Sequence, residues 1–171
     1  VTLTVDLLDS SSTVNILSSE FSHSRGGFRI AQDGGSGPAV NFVDTVIANH
    51  TGSVVACGGD MRRSIGVQEE HVQAAVRFQR CAVVQNQSPH AGNERTTNTN
   101  DAVIDLGSCV APVPVHVDET VWLDNAIAVV HTGTGSIVVQ GSTFTASKVG
   151  LFSFGGKLDI SDSQFEALSD I

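Results

Sequence analysis

The sequence predicts an all-β, single-domain right-handed parallel β-helix, a solenoid of about six coils with inserted loops, spanning residues 1–171. Three observations carry this expectation. The apolar residues are mostly Val, Ile, Leu and Phe, accompanied by many Ser and Thr, and these types favour pleated, half-buried surfaces. One pattern with an apolar period of two recurs six times, which excludes a helical repeat. Gly-Gly pairs fall between the recurrences, where the chain must turn.

The six units start at Val14, Val40, Val76, Val115, Ile137 and Leu158. Two places on stand Ile16, Phe42, Phe78, Val117, Val139 and Ile160, so each unit opens as a half-buried strand. Five places from the start every residue is small: Ser19, Thr45, Cys81, Thr120, Ser142 and Ser163. A hydroxyl at a bend can satisfy a nearby backbone group. Seven places from the start every residue is large and apolar: Phe21, Ile47, Val83, Trp122, Phe144 and Phe165. Each unit therefore reads as two short strands joined by a bend, with three inward apolar positions and a buried small one. Stacking the units about 4.8 Å apart would set like residues above one another and bury faces that no unit can bury alone. A sandwich or jelly roll is the rival fold, but it does not require the same small-then-large register six times.

Successive units are separated by 26, 36, 39, 22 and 21 residues, so the longer spacings imply loops inserted into a regular coil. Two insertions stand out: residues 60–73, with Arg62, Arg63, Glu69, Glu70 and His71, and the polar residues 88–100. Long loops on a regular scaffold are where binding usually resides. Residues 67–75 could form a short helical turn.

Asn49-His50-Thr51 and Asn86-Gln87-Ser88 match the acceptor pattern for N-linked sugar. Asn49 and Asn86 are expected at equivalent outer ends of the second strand, facing solvent. Cys81 falls in the small column and reads as a core residue. Cys57 and Cys109 lie in Val-rich stretches of adjacent coils and are the candidates for a disulfide across an inserted loop.

The net charge is −9, with nine Lys plus Arg and no basic stripe, which argues against nucleic acid as a partner. No apolar run approaches the roughly 20 residues of a membrane helix. The six histidines show no metal spacing, and no cofactor or metal is expected. The chain begins at Val1 rather than Met, which reads as a processed chain or a fragment.

Gly155-Gly156-Lys157-Leu158-Asp159-Ile160-Ser161-Asp162-Ser163-Gln164-Phe165 and Val76-Arg77-Phe78-Gln79-Arg80-Cys81 resemble the Gly-Gly-rich repeats of polymorphic outer-membrane proteins and of the wider pectate-lyase-like β-helix superfamily. The chain departs from the bacterial repeat in placing Phe28, Asp60 or Lys157 after Gly-Gly and in lacking a Phe-x-x-Asn element. The resemblance implies the fold and a surface adhesin or coat protein. Residues 98–105, with Asp101 and Asp105, are loosely similar to the first motif of polygalacturonase-like hydrolases, but adjacent Asp-Asp, Gly-His-Gly and Arg-Ile-Lys are missing. Asp159 and Asp162 could serve a calcium-dependent lyase, with no Arg suitably placed.

The expected function is therefore that of an extracellular or cell-surface structural or adhesive glycoprotein. Its partners would be copies of itself, in a filament or coat, and its covalent glycans. A polysaccharide-degrading enzyme and a carbohydrate-binding module using the two inserted loops are the alternatives.

Overall fold

The computed structural model describes residues 5–7, 13–24, 27–30, 39–57, 75–86, 102–106, 113–125, 127–132, 135–145, 149–154 and 156–166. The described residues are all-β. The strands, in chain order, are β1 (Val5–Leu7), β2 (Thr13–Leu17), β3 (Glu20–Ser22), β4 (Phe28–Ile30), β5 (Ala39–Val43), β6 (Val46–Ala48), β7 (Val55–Cys57), β8 (Ala75–Gln79) and β9 (Ala82–Val84). They continue with β10 (Ala102–Asp105), β11 (Val115–Asp118), β12 (Val121–Leu123), β13 (Ile127–Thr132), β14 (Ser136–Gln140), β15 (Thr143–Thr145), β16 (Val149–Phe154), β17 (Lys157–Ser161) and β18 (Gln164–Glu166).

Every third strand joins the same sheet. A first sheet runs β1-β4-β7-β10-β13-β16, a second β2-β5-β8-β11-β14-β17 and a third β3-β6-β9-β12-β15-β18. All the pairings are parallel, which a sandwich of antiparallel hairpins would not give. The chain visits the three sheets in turn, an order compatible with a β-solenoid. The sequence pattern shows only the strands of the second and third sheets; the first sheet is an addition to it.

The register follows the six-unit alignment. Val14 pairs with Val40, Val40 with Val76, Val76 with Val115, Val115 with Ile137 and Ile137 with Leu158. The third sheet sets Phe21 beside Ile47, Ile47 beside Val83, Val83 beside Trp122, Trp122 beside Phe144 and Phe144 beside Phe165. Between the second and third sheets the chain always turns in two residues. The first of the two is left-handed in every unit: Ser18, Asp44, Arg80, Glu119, Gly141 and Asp162, with φ from 46° to 56°. Its N–H still donates across the stack, as Ser18 does to Val43 O at 3.0 Å and Glu119 to Gln140 O at 3.0 Å. The ladder therefore continues around the bend, and no buried donor is stranded there.

The second residue of the turn is the small one, and its side chain does two jobs. Its hydroxyl or thiol donates to the carbonyl two residues back: Ser19 to Leu17 O, Thr45 to Val43 O, Cys81 to Gln79 O, Thr120 to Asp118 O, Ser142 to Gln140 O and Ser163 to Ser161 O. In the later units the oxygen also accepts the N–H of the small residue before it in the column. Cys81 N donates to Thr120 Oγ1 at 3.3 Å, Thr120 N to Ser142 Oγ at 3.1 Å and Ser142 N to Ser163 Oγ at 3.1 Å.

The core is the apolar columns of the three sheets. Val40, Phe42, Ile47, Val76, Phe78, Val83, Val115, Val117, Trp122, Ile137, Val139 and Phe144 are fully buried, each contributing roughly 1.5–3 kcal/mol of transfer free energy. Ile16 is buried too, and Val14 and Phe21 pack half-buried against the cluster. Aromatic rings form an unbroken file: Phe42 stacks on Phe78 at 4.6 Å, Trp122 on Phe144 at 5.5 Å and Phe144 on Phe165 at 4.8 Å, with Phe78 and Trp122 tilted at 5.4 Å.

The last unit departs from the expected core. Leu158, Ile160 and Phe165 remain 45%, 45% and 36% exposed, on β17 and β18, which are the last strands of their sheets among the described residues. Ser19 and Ser163, at the two ends of the small column, are likewise half-buried rather than buried.

Candidate functional site on the outer face of the second sheet

Alternate residues of the second sheet point away from the core, and they form two rows. One row reads Asn15, Asn41, Arg77, His116, Val138 and Asp159; the other reads Leu17, Val43, Gln79, Asp118, Gln140 and Ser161. Pleating alone puts them there, one residue on from each inward column. The rows of β2, β5, β8, β11 and β14 border a groove of about 480 Å³.

The polar side chains of this groove hold one another. Asn41 donates through Nδ2 to Asn15 Oδ1 at 2.9 Å and accepts Arg77 Nη1 on its Oδ1 at 3.3 Å. Gln79 Nε2 donates to Asp118 Oδ2 at 3.5 Å. His116 sits beside Arg77 in the register. Partial burial, and then the nearby guanidinium, push the His116 pKa below its ordinary value, so the ring is neutral at neutral pH. Among the described residues the groove thus carries one cation, Arg77, and one carboxylate, Asp118. Glycoside hydrolysis by the usual routes needs two carboxylates across the scissile bond. Asp105 stands on β10 in the first sheet, Asp101 lies outside the described residues, and Asp159 and Asp162 belong to the exposed last unit.

A second polar cluster is buried, and the sequence reading missed its nature. It follows a second left-handed column of His23, Asn49, Gln85 and Asp124, nine residues from each unit start. The next residues, Ser24, His50, Asn86 and Asn125, turn inward. Ser24 Oγ lies 2.8 Å from His50 Nδ1, and His50 N donates to Asn86 Oδ1 at 2.9 Å. Asn86 N and Nδ2 both donate to Asn125 Oδ1, at 3.2 and 2.8 Å, and Asn86 Nδ2 also reaches Ile47 O at 3.3 Å. Asn125 Nδ2 donates to Val83 O at 2.8 Å.

This geometry corrects the expectation that Asn86 faces solvent. Asn86 is 3% exposed, and its amide nitrogen, the atom that would carry a sugar, is committed to two acceptors. The equivalent of Asn49 is Gln85, not Asn86. Asn49 itself is exposed, as expected.

Cys57 is disulfide-bonded and Cys81 is a free, buried thiol; Cys109 lies outside the described residues. Burial raises the Cys81 pKa, which keeps it a protonated, unreactive core residue. The inserted loops 60–73 and 88–100 also lie outside the described residues, as does the expected helical turn except for Ala75, which opens β8. Among the described residues no group of three His, Cys, Asp or Glu could hold a metal ion. No helix among them is long and apolar enough to cross a membrane.

No family model matches the chain, and neither the curated proteins nor the solved structures yield a match.

Proposed function

We propose that the three sheets are the faces of a right-handed parallel β-helix serving as an extracellular structural or adhesive surface protein, glycosylated at Asn49 and self-associating through its last unit. The observation that carries this reading is the exposed edge of β17 and β18. Leu158, Ile160 and Phe165 continue three inward columns, yet present apolar surface on the last strands of the second and third sheets among the described residues. An edge of that kind templates further strand pairing. A second copy offers matching columns: its Val14, Ile16 and Phe21 would lie over Leu158, Ile160 and Phe165, continuing the file of rings. Such a contact is heterologous and, repeated without closure, builds a filament. At the opposite end of these columns Val14 and Phe21 are half-buried and Ile16 is 8% exposed. Asp118 is the one carboxylate bordering the groove among the described residues.

The test is sedimentation velocity and electron microscopy across a concentration series, on the native chain and on the double variant Ile160→Lys, Phe165→Asp. Both substituted positions are exposed, so the variant keeps the buried core. Concentration-dependent elongated species for the native chain, abolished in the variant, support the proposal. A native chain that stays monomeric at high concentration refutes it.

A further inference from the structure

The outer face of the third sheet departs from the pattern that the second sheet keeps. Pleating turns the first and last residue of each three-residue strand outward. On β6, β9 and β12 these are Val46 and Ala48, Ala82 and Val84, Val121 and Leu123, and none has a polar side chain. The neighbouring strands of the second sheet, β5, β8 and β11, turn out Asn41, Arg77, Gln79, His116 and Asp118 beside Val43. Val46, Val121 and Leu123 stay 41%, 46% and 39% exposed. The face turns polar again on either side, with Glu20 and Ser22 on β3, Thr143 and Thr145 on β15 and Gln164 and Glu166 on β18. We infer that this face docks a short cationic amphipathic segment of another protein, apolar side chains on the Val and Leu patch and Lys or Arg on its acidic frame.

Charge argues for a cationic partner. Glu20 and Glu166 stand on the two outermost strands of the sheet, and Asp44, Glu119 and Asp124 stand at the turns that flank β6 and β12. All five are exposed. Among the described residues Arg80 is the one Lys or Arg on the strands and turns of this sheet, and Asp44 holds its guanidinium at 2.8 and 2.9 Å. The field over the patch is therefore negative, and the net charge of −9 adds to it. A second copy brings the same acidic frame and is repelled.

Area argues for a short segment. Six strands that each turn out two residues make a face of roughly 24 by 7 Å, on the order of 170 Å². A stable complex of two folded proteins buries about 800 Å² on each partner. An extended stretch of about seven residues spans the same 24 Å. Alternate side chains of such a stretch lie on one side, so an alternating sequence sets an apolar row against the sheet. The flexible stems of Lys or Arg then carry their charges over to the carboxylates.

Fluorescence anisotropy on the full chain tests this with three labelled, end-blocked heptapeptides: Lys-Leu-Lys-Leu-Lys-Leu-Lys, the same peptide with Glu for Lys, and the same peptide with Ser for Leu. The Lys-Leu peptide is expected to bind at least about tenfold tighter than the other two, and to weaken as salt is raised. Val121→Lys and Leu123→Lys should each weaken it about tenfold or more, since each removes an apolar contact and adds a like charge. Both positions are exposed, so unchanged far-ultraviolet circular dichroism is expected of both variants. Leu17→Lys, which changes a 59% exposed leucine on the second sheet, should leave binding unchanged. The double variant Glu119→Gln, Asp124→Asn should weaken binding and flatten its salt dependence. Equal affinity for the Glu-Leu or the Lys-Ser peptide, affinity untouched by Leu123→Lys, or an equal loss from Leu17→Lys overturns the inference. Self-association in sedimentation velocity that Leu123→Lys abolishes overturns it too, because it assigns the face to a second copy.

Discussion

Replacing Thr120 by Val keeps the shape of the side chain and deletes one hydroxyl, so it isolates the small column at the turn. Thr120 is fully buried. Its Oγ1 donates to Asp118 O at 2.9 Å and accepts Cys81 N at 3.3 Å. In the variant Asp118 O still receives Arg80 N at 2.9 Å, so the carbonyl is not stranded. The Cys81 amide is stranded, because Thr120 Oγ1 is its acceptor and Cys81 is buried. A buried unsatisfied donor costs about 1–3 kcal/mol and the lost hydroxyl bond about 1 kcal/mol more. The expected destabilisation is therefore about 3 kcal/mol, or a fall in Tm of about 6–12 °C for a chain of this size. Thr120→Ser, which keeps both bonds and loses one methyl, should cost about 1 kcal/mol. Urea unfolding gives the numbers, followed by the emission of Trp122, the single tryptophan, which is buried two residues away. If Thr120→Val falls within about 0.5 kcal/mol of the native chain, the hydroxyl column is not what secures the turn and the accounting above is wrong.

Two further outcomes are expected. In material secreted from a eukaryotic host, glycopeptide mapping should find sugar at Asn49 and none at Asn86, and Asn86→Ala should destabilise by about 2–4 kcal/mol in thermal melts, since it leaves His50 N without its side-chain acceptor. His116 has a folded pKa below its unfolded one, so the unfolded chain takes up the proton first as pH falls. Stability tied to this ring is whole above about pH 6.5 and is lost below it, so His116→Gln should flatten the decline of Tm between about pH 7.5 and 5.

The parts of the fold that were legible in the sequence are those with a fixed spacing. The strands of the second and third sheets are joined by two residues in every unit, so their inward positions fall at constant offsets and stand out on alignment. The first sheet has no such offset. The connections from the third sheet to the first, residues 23–27, 49–54 and 85–101, differ in length, so Phe28, Val55 and Ile104 share a column but stand 14, 15 and 28 residues after Val14, Val40 and Val76. Asn86 was misplaced for a related reason. Its sequon resembles that of Asn49, but the left-handed residue that sets the register is Gln85, and a shift of one residue exchanges outside for inside. The signal that could have separated them is the succession Asn86 and Asn125, ten residues after Val76 and Val115. The groove was not visible at all. Asn, Arg, His and Val share no residue type, and only the parallel register brings them into one row.

The two-residue turn also governs how such a chain can change. One joint of the unit admits no extra length, because its left-handed residue and small partner must meet their counterparts on either side. Added sequence is diverted to the ends of the first sheet, where connections range from two residues between β16 and β17 to seventeen between β7 and β8. The protein therefore behaves as a cassette with one rigid hinge-pin and adjustable cables, in which new loops can be lengthened, exchanged or grafted without moving any column by a single place.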